Sequence, residues 1–123
     1  MITQILLIDD DPIINFIHTK LIRKKFPDIP LLTFANGQAG LLHIKSNRDE
    51  SYLVFLDLNM PKMNGLEFLN AVSSEVYDVN LKVHIVTSSI NPDDKKRTEN
   101  FEQVLSYIVK PLKDKDLEHI TLI

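Results

Sequence analysis

Five polar residues stand where short apolar runs end. Asp9 and Asp10 follow Ile5–Ile8, Asp57 follows Leu53–Leu56, Thr87 follows Val83–Val86, and Lys110 follows Ser106–Val109. Gathered at one place, these carboxylates would repel, because two unit charges ~4 Å apart cost about 4 kcal/mol at an effective dielectric of roughly 20. Either the carboxyl pKa values rise or a cation sits among them. The set holds no histidine or cysteine, and oxygen donors alone favour Mg²⁺ (or Mn²⁺) over zinc or copper. Lys110 adds an ammonium and Thr87 a hydroxyl donor, both suited to an anionic phosphoryl group. The chemistry to which this set is matched is phosphoryl transfer.

The elements that must gather these residues are legible as apolar runs of strand length alternating with segments of helical period. Ile5–Ile8 is a continuous run, as expected for a strand buried on both faces. Asp11-Pro12 reads as an N-cap followed by proline at the first helical position. Ile13, Ile14, Ile17, Leu21 and Ile22 then mark the expected buried face, and Lys20, Arg23, Lys24 and Lys25 near the far end complement the helix dipole. Leu31–Phe34 is a weaker second strand, and a helix from near Asn36 carries Ala39, Leu42 and His43. After strand Leu53–Leu56 and the turn Asn59–Asn64, a helix from about Gly65 shows Leu66, Leu69 and Val72. Gly65 itself is expected to serve backbone geometry at the entrance to that helix. Strand Val83–Val86 leads to a polar helix from Pro92 to roughly Phe101. Strand Ser106–Val109 leads through Lys110-Pro111, a plausible cis peptide, to a short helix from about Asp114.

Five strands alternating with five helices imply an α/β, flavodoxin-like three-layer sandwich with a five-stranded parallel sheet in the order 2-1-3-4-5. Ligands in such sheets bind beyond the carboxyl ends of the strands, at the switch point in strand order. That rim is where Asp9, Asp10, Asp57, Thr87 and Lys110 fall.

Bulk properties narrow the function. The 123 residues fit one domain, taken as residues 1–123 with no output domain, and are enough to bury a core without staples. With no cysteine, thiol catalysis, disulfides and zinc-thiolate sites are excluded; a cytoplasmic location fits. A formal charge of −3 leaves no basic footprint for direct nucleic-acid binding. The N-terminal apolar run stops at Ile8, too short for a signal peptide or a membrane span. The four histidines, His18, His43, His84 and His119, are scattered and are not expected to be ligands.

The motifs Leu-Leu-Ile-Asp9-Asp10-Asp, Leu-Asp57-Leu-Asn-Met-Pro-Lys-Met-Asn-Gly65, Val-Thr87-Ser-Ser and Tyr107-Ile-Val-Lys110-Pro111 follow one another in order across essentially the whole chain. In this they resemble the receiver domains of two-component response regulators. The resemblance implies that Asp57 accepts a phosphoryl group from a sensor histidine kinase or a histidine phosphotransfer protein. It implies Mg²⁺ held by Asp10, Asp57 and the backbone carbonyl of Asn59, with Asp9 acting through water. Thr87 and Lys110 would bind the phosphoryl oxygens, and Tyr107 would turn inward as Thr87 moves. Asn59 and Ser89, two past the acceptor and two past the switch threonine, would tune hydrolysis. A downstream protein would read the face formed by the fourth helix, fifth strand and fifth helix, to which the polar run Asn91–Asn100 belongs. The family implies a signalling protein rather than a classical enzyme. The natural-looking Met1 favours a diffusible switch or phosphorelay intermediate over an excised domain.

Two rivals share parts of the pattern. A haloacid-dehalogenase-type phosphatase would use Asp9 as nucleophile and Asp11 as general acid, but Pro12 directly after Asp11 weakens it. A flavodoxin would want a Ser/Thr/Gly-rich phosphate loop where this chain has carboxylates.

Overall fold

The computed structural model describes residues Met1–Ile123. Its strands are β1 (Gln4–Ile8), β2 (Leu31–Phe34), β3 (Tyr52–Leu56), β4 (Leu81–Thr87) and β5 (Val104–Val109); its helices are α1 (Pro12–Lys25), α2 (Gly37–Ser46), α3 (Gly65–Glu75), α4 (Pro92–Glu99) and α5 (Asp114–Leu117). All pairings are parallel and the order is β2-β1-β3-β4-β5, the flavodoxin-like arrangement expected from the alternation. No helix is long and apolar enough to cross a membrane.

Alternation along the strands splits the core in two. Leu6, Ile8, Val54, Leu56, Val83 and Ile85 pack with α2 and α3 on one face. Ile5, Leu7, Leu53, Phe55 and Val86 pack with α1 and α5 on the other. The central strand β3 is buried along its whole length, which explains its unbroken apolar run. Caps fix the helix starts. Asp11 Oδ1 accepts from the Ile13 N–H at 2.9 Å and the Ile14 N–H at 3.3 Å. Asn64 and Glu67 exchange hydrogen bonds in a capping box.

Several local expectations shift. Strands β1, β3, β4 and β5 begin one or two residues before their apolar runs, because ladder pairing continues through Gln4, Tyr52, Leu81 and Val104. Helix α4 stops at Glu99 rather than Phe101. On α1 the buried stripe runs through His18 and Ile22, while Ile13 is 70% exposed and Ile17 45%. The apolar residues of that helix span more than one face, and the sheet takes only the stripe that includes a histidine. On α2 the core side is Gly37, Gly40, Leu41 and Ile44, and Leu42 faces solvent. Two glycines there let the helix lie close, since a Cβ on Gly40 would sit 2.6 Å from Ile8 Cδ1.

His84 shows what the sheet costs a titratable group. It is buried in β4, stacked on Phe55 at 5.8 Å between centroids, with Nδ1 2.7 Å from Ser106 Oγ. Burial holds its pKa down at about 4, against an ordinary 6.5. The unfolded chain therefore takes up a proton through this window while the folded one does not, so stability falls as pH drops from about 6.5 to about 4. The loss attributable to this residue is about 3 kcal/mol. Urea denaturation across that range should show a steeper decline in the wild type than in His84→Gln; parallel curves would contradict the assignment.

Candidate functional site

Backbone pairing carries the polar strand ends to one rim. The Asp57 N–H donates to the Ile8 carbonyl at 2.9 Å, and the Asp9 N–H to the Phe34 carbonyl at 3.0 Å, so the ladder sets the two aspartates side by side. Across β4 and β5, the Lys110 N–H donates to the Thr87 carbonyl at 2.8 Å. The peptide between Lys110 and Pro111 is cis. Carboxylate oxygens of Asp9, Asp10 and Asp57 all lie within 4.8 Å of one another. Asp9 and Asp57 are buried and Asp10 is exposed.

Lys110 is the counterweight. Its Nζ lies 2.6 Å from Asp9 Oδ2 and 3.3 Å from Asp57 Oδ2. Asp57 is still pushed above the usual carboxylate range, by burial first and by the Asp9 charge second, with Lys110 and the Thr87 hydroxyl opposing. For Lys110, burial disfavours the ammonium, but hydrogen bonding and attraction to Asp9 and Asp57 outweigh it and raise the pKa. One ammonium among three carboxylates leaves the rim acidic. An all-oxygen donor set of this kind is consistent with a divalent cation.

The remaining oxygens are partly committed. Asp9 Oδ1 accepts from the Asp11 N–H at 2.9 Å, and Asp57 Oδ1 from the Leu58 N–H at 2.8 Å. Thr87 is fully buried at the end of β4, and its Oγ1 accepts from the Ser89 N–H at 3.3 Å. Ser89 Oγ donates to Asp94 Oδ2 at 2.6 Å. Tyr107 is half-buried against the core, and its hydroxyl donates to the Ser89 carbonyl at 3.0 Å. Thr87, Ser89 and Tyr107 are thus linked through the β4–α4 loop. Asn59 is exposed on the turn after Asp57. In that turn Lys62 has φ 66°, and the Met63 N–H donates to the Pro61 carbonyl at 2.8 Å. A lysine in the left-handed region marks strain close to the site.

Two residues under the rim escaped sequence reasoning. Asn15 Nδ2 donates to the Asp9 carbonyl at 2.8 Å, and His18 Nε2 accepts from the Leu112 N–H at 3.1 Å. Helix α1 therefore holds both the Asp9 loop and the segment after Lys110-Pro111. Burial lowers the His18 pKa, with Asp9 opposing and Lys110 assisting, which keeps Nε2 free to accept. The available signal was a polar pair at i and i+3, with His18 four residues before the buried Ile22.

Gly65 packs against the end of β3. Its N–H donates to the Leu58 carbonyl at 2.9 Å, and a Cβ there would lie 2.5 Å from the Asp57 carbonyl oxygen and 2.8 Å from Leu58 Cα. Both neighbours are backbone and cannot swing aside. Gly65→Ala should therefore destabilise the fold by about 1–3 kcal/mol and displace the Asp57 amide resonance. Unchanged urea midpoint and unchanged amide shifts would contradict this close approach.

The comparisons with known proteins meet this geometry. A crystal structure of a two-component response regulator from Cytophaga hutchinsonii superposes with a TM-score of 0.82 at 29% identity, covering 94% of this chain and 91% of that one. A probable methanogenesis regulatory protein of Methanothrix harundinacea is 31% identical over 122 residues, 93% of this chain and 76% of the relative. The probable C4-dicarboxylate response regulator DctR of Halalkalibacterium halodurans is 29% identical over 108 residues. There the alignment covers 88% of this chain but 45% of the relative, so the chain spans about half the length of that protein. The phosphatase alternative finds no support, since the Asp11 carboxylate it would need as an acid caps α1. The family model described as the response regulator receiver domain matches residues 5–121, and with the strand order and the acidic rim already in place, this chain belongs to that family.

Proposed function

We propose that Asp57 is the phosphoacceptor of a two-component signalling switch, phosphorylated by a histidine kinase or histidine phosphotransfer protein. The observation that carries this reading is the Lys110 ammonium lying between the buried carboxylates of Asp9 and Asp57. A carboxylate oxygen of Asp57 attacks phosphorus, the new P–O bond forms as the P–N bond to the donor imidazole breaks, and the imidazole leaves with its electron pair. Lys110 offsets charge on the transferring group. The Thr87 hydroxyl donates to an oxygen of the acyl phosphate.

The acidic rim fits Mg²⁺ (or Mn²⁺). Asp10, Asp57 and the Asn59 backbone carbonyl would hold it, with Asp9 acting through water. When bound, the ion supplies positive charge to the phosphoryl oxygens. Phosphorylation then biases a two-state equilibrium. The Thr87, Ser89 and Tyr107 linkage is the element placed to change, since any inward movement of Thr87 pulls on the Ser89 N–H it binds and on the loop to which Tyr107 is tied.

Exposed apolar residues support two partner surfaces in this reading. Ile13, Phe16 and Ile17 are exposed on the first turns of α1, immediately after the Asp9-Asp10 loop, and form an apolar approach to the rim for the phosphodonor. The α4–β5–α5 face, with Leu105 and Val109 exposed, is the surface for a downstream protein.

Incubation with Mg²⁺ and acetyl phosphate, followed by intact mass measurement, should show one phosphoryl adduct in the wild type and none in Asp57→Asn. An adduct that persists in Asp57→Asn and vanishes in Asp9→Asn would overturn the proposal. Asn59 is small and exposed, and Ser89 is turned toward Asp94, so neither shields phosphorus from water. The adduct should therefore decay with a short to intermediate lifetime once acetyl phosphate is removed. Persistence over many hours would contradict that.

A further inference from the structure

A second group of polar side chains faces a cavity that no rim residue lines. Lys82, His84 and Ser106 stand on the side of β4 and β5 that packs toward α1 and α5. Helix α5 is a single turn, so it covers that side only in part. Lys115, His119 and Ile120, from α5 and the turn after it, close the opposite wall of a groove of about 430 Å³. That volume lies in the range of small-molecule sites.

The groove has a built polar floor. His84 is 7% exposed, its Nδ1 is engaged by Ser106 Oγ at 2.7 Å, and its Nε2 has no hydrogen-bond partner in the protein. The Ser106 hydroxyl occupies Nδ1, so Nε2 is the ring nitrogen left for a groove occupant. Burial keeps this imidazole neutral. Lys82 and Lys115 take part in none of the ion pairs of the fold. Asp116 also lines the groove; its Oδ2 accepts the Lys113 N–H at 2.8 Å, and its single negative charge is outnumbered by the two lysines. A metal is not the fitting occupant. The ligand atoms of His84, His119 and Asp116 do not converge, and the acidic triad of the rim is the one such cluster in the chain.

We propose that this groove binds a small organic anion, a carboxylate or phosphomonoester with a short apolar body. The acid group meets the Lys82 and Lys115 ammonium groups beside the His84 ring, and the body lies against Ile108 and Ile120. The proposal is independent of the phosphoryl chemistry at Asp57.

The test is an NMR titration of the full chain with benzoate and with phenyl phosphate, following the ring signals of His84 and His119. Benzamide serves as the uncharged control. Saturable shifts at His84 with either acid, and none with benzamide, support the site; which acid saturates assigns the class. The double variant Lys82→Gln, Lys115→Gln alters two side chains outside the core and should weaken binding about tenfold or more. Asp57→Asn should leave the titration unchanged, separating this groove from the rim. Shifts that stay linear with both acids overturn the proposal. So does saturation that survives in the double lysine variant, or that disappears in Asp57→Asn.

Discussion

The ion triplet of Asp9, Lys110 and Asp57 is the constraint around which the chain is arranged. Two carboxylates buried at neighbouring strand ends are costly to desolvate, and a single ammonium touches both. Removing one member of such a buried set typically costs about 3–5 kcal/mol, because the partner is left uncompensated. The ladder fixes the aspartates, and the β5–α5 connection must deliver Lys110 to them. Helix α1 holds that connection through His18 and holds the Asp9 loop through Asn15. The same helix that covers the sheet therefore fixes both sides of the triplet.

The balance is deliberately incomplete in charge. Lys110 offsets one carboxylate, Asp10 adds another at the surface, and Asp57 remains pushed toward its protonated form by burial and by Asp9. A rim in that condition favours added positive charge. Gly65 lets the turn after β3 pack against the backbone of Asp57, so its carboxylate is held by a close-fitting frame on one side and by Lys110 on the other.

How far the sequence carried this account depended on periodicity. Parallel buried strands make continuous apolar runs, so β1, β3 and β4 and the polar residue ending each were legible, and strand order followed from handed crossovers. Capping chemistry located the start of α1 through Asp11. Helix faces were harder. Helix α1 carries apolar residues on more than one side, and exposed Ile13 and Ile17 look like core by composition. Helix α2 packs through Gly37 and Gly40, which have no hydrophobic signature. His18, Asn15 and His84 were missed as structural groups for a related reason. Their partners are backbone or hydroxyl groups, six residues away for Asn15 but 22 and 94 residues away for His84 and His18, and such pairings leave little trace in periodicity.

The rim's acidic excess is the claim on which the functional account rests, and thermal denaturation against Mg²⁺ concentration measures it directly. A cation that binds the folded chain raises Tm in proportion to the logarithm of its concentration above Kd. The wild type should show this rise in Mg²⁺, and Asp10→Asn and Asp57→Asn should each lose most of it. A wild-type Tm indifferent to Mg²⁺, or a rise undiminished in both variants, would contradict the account.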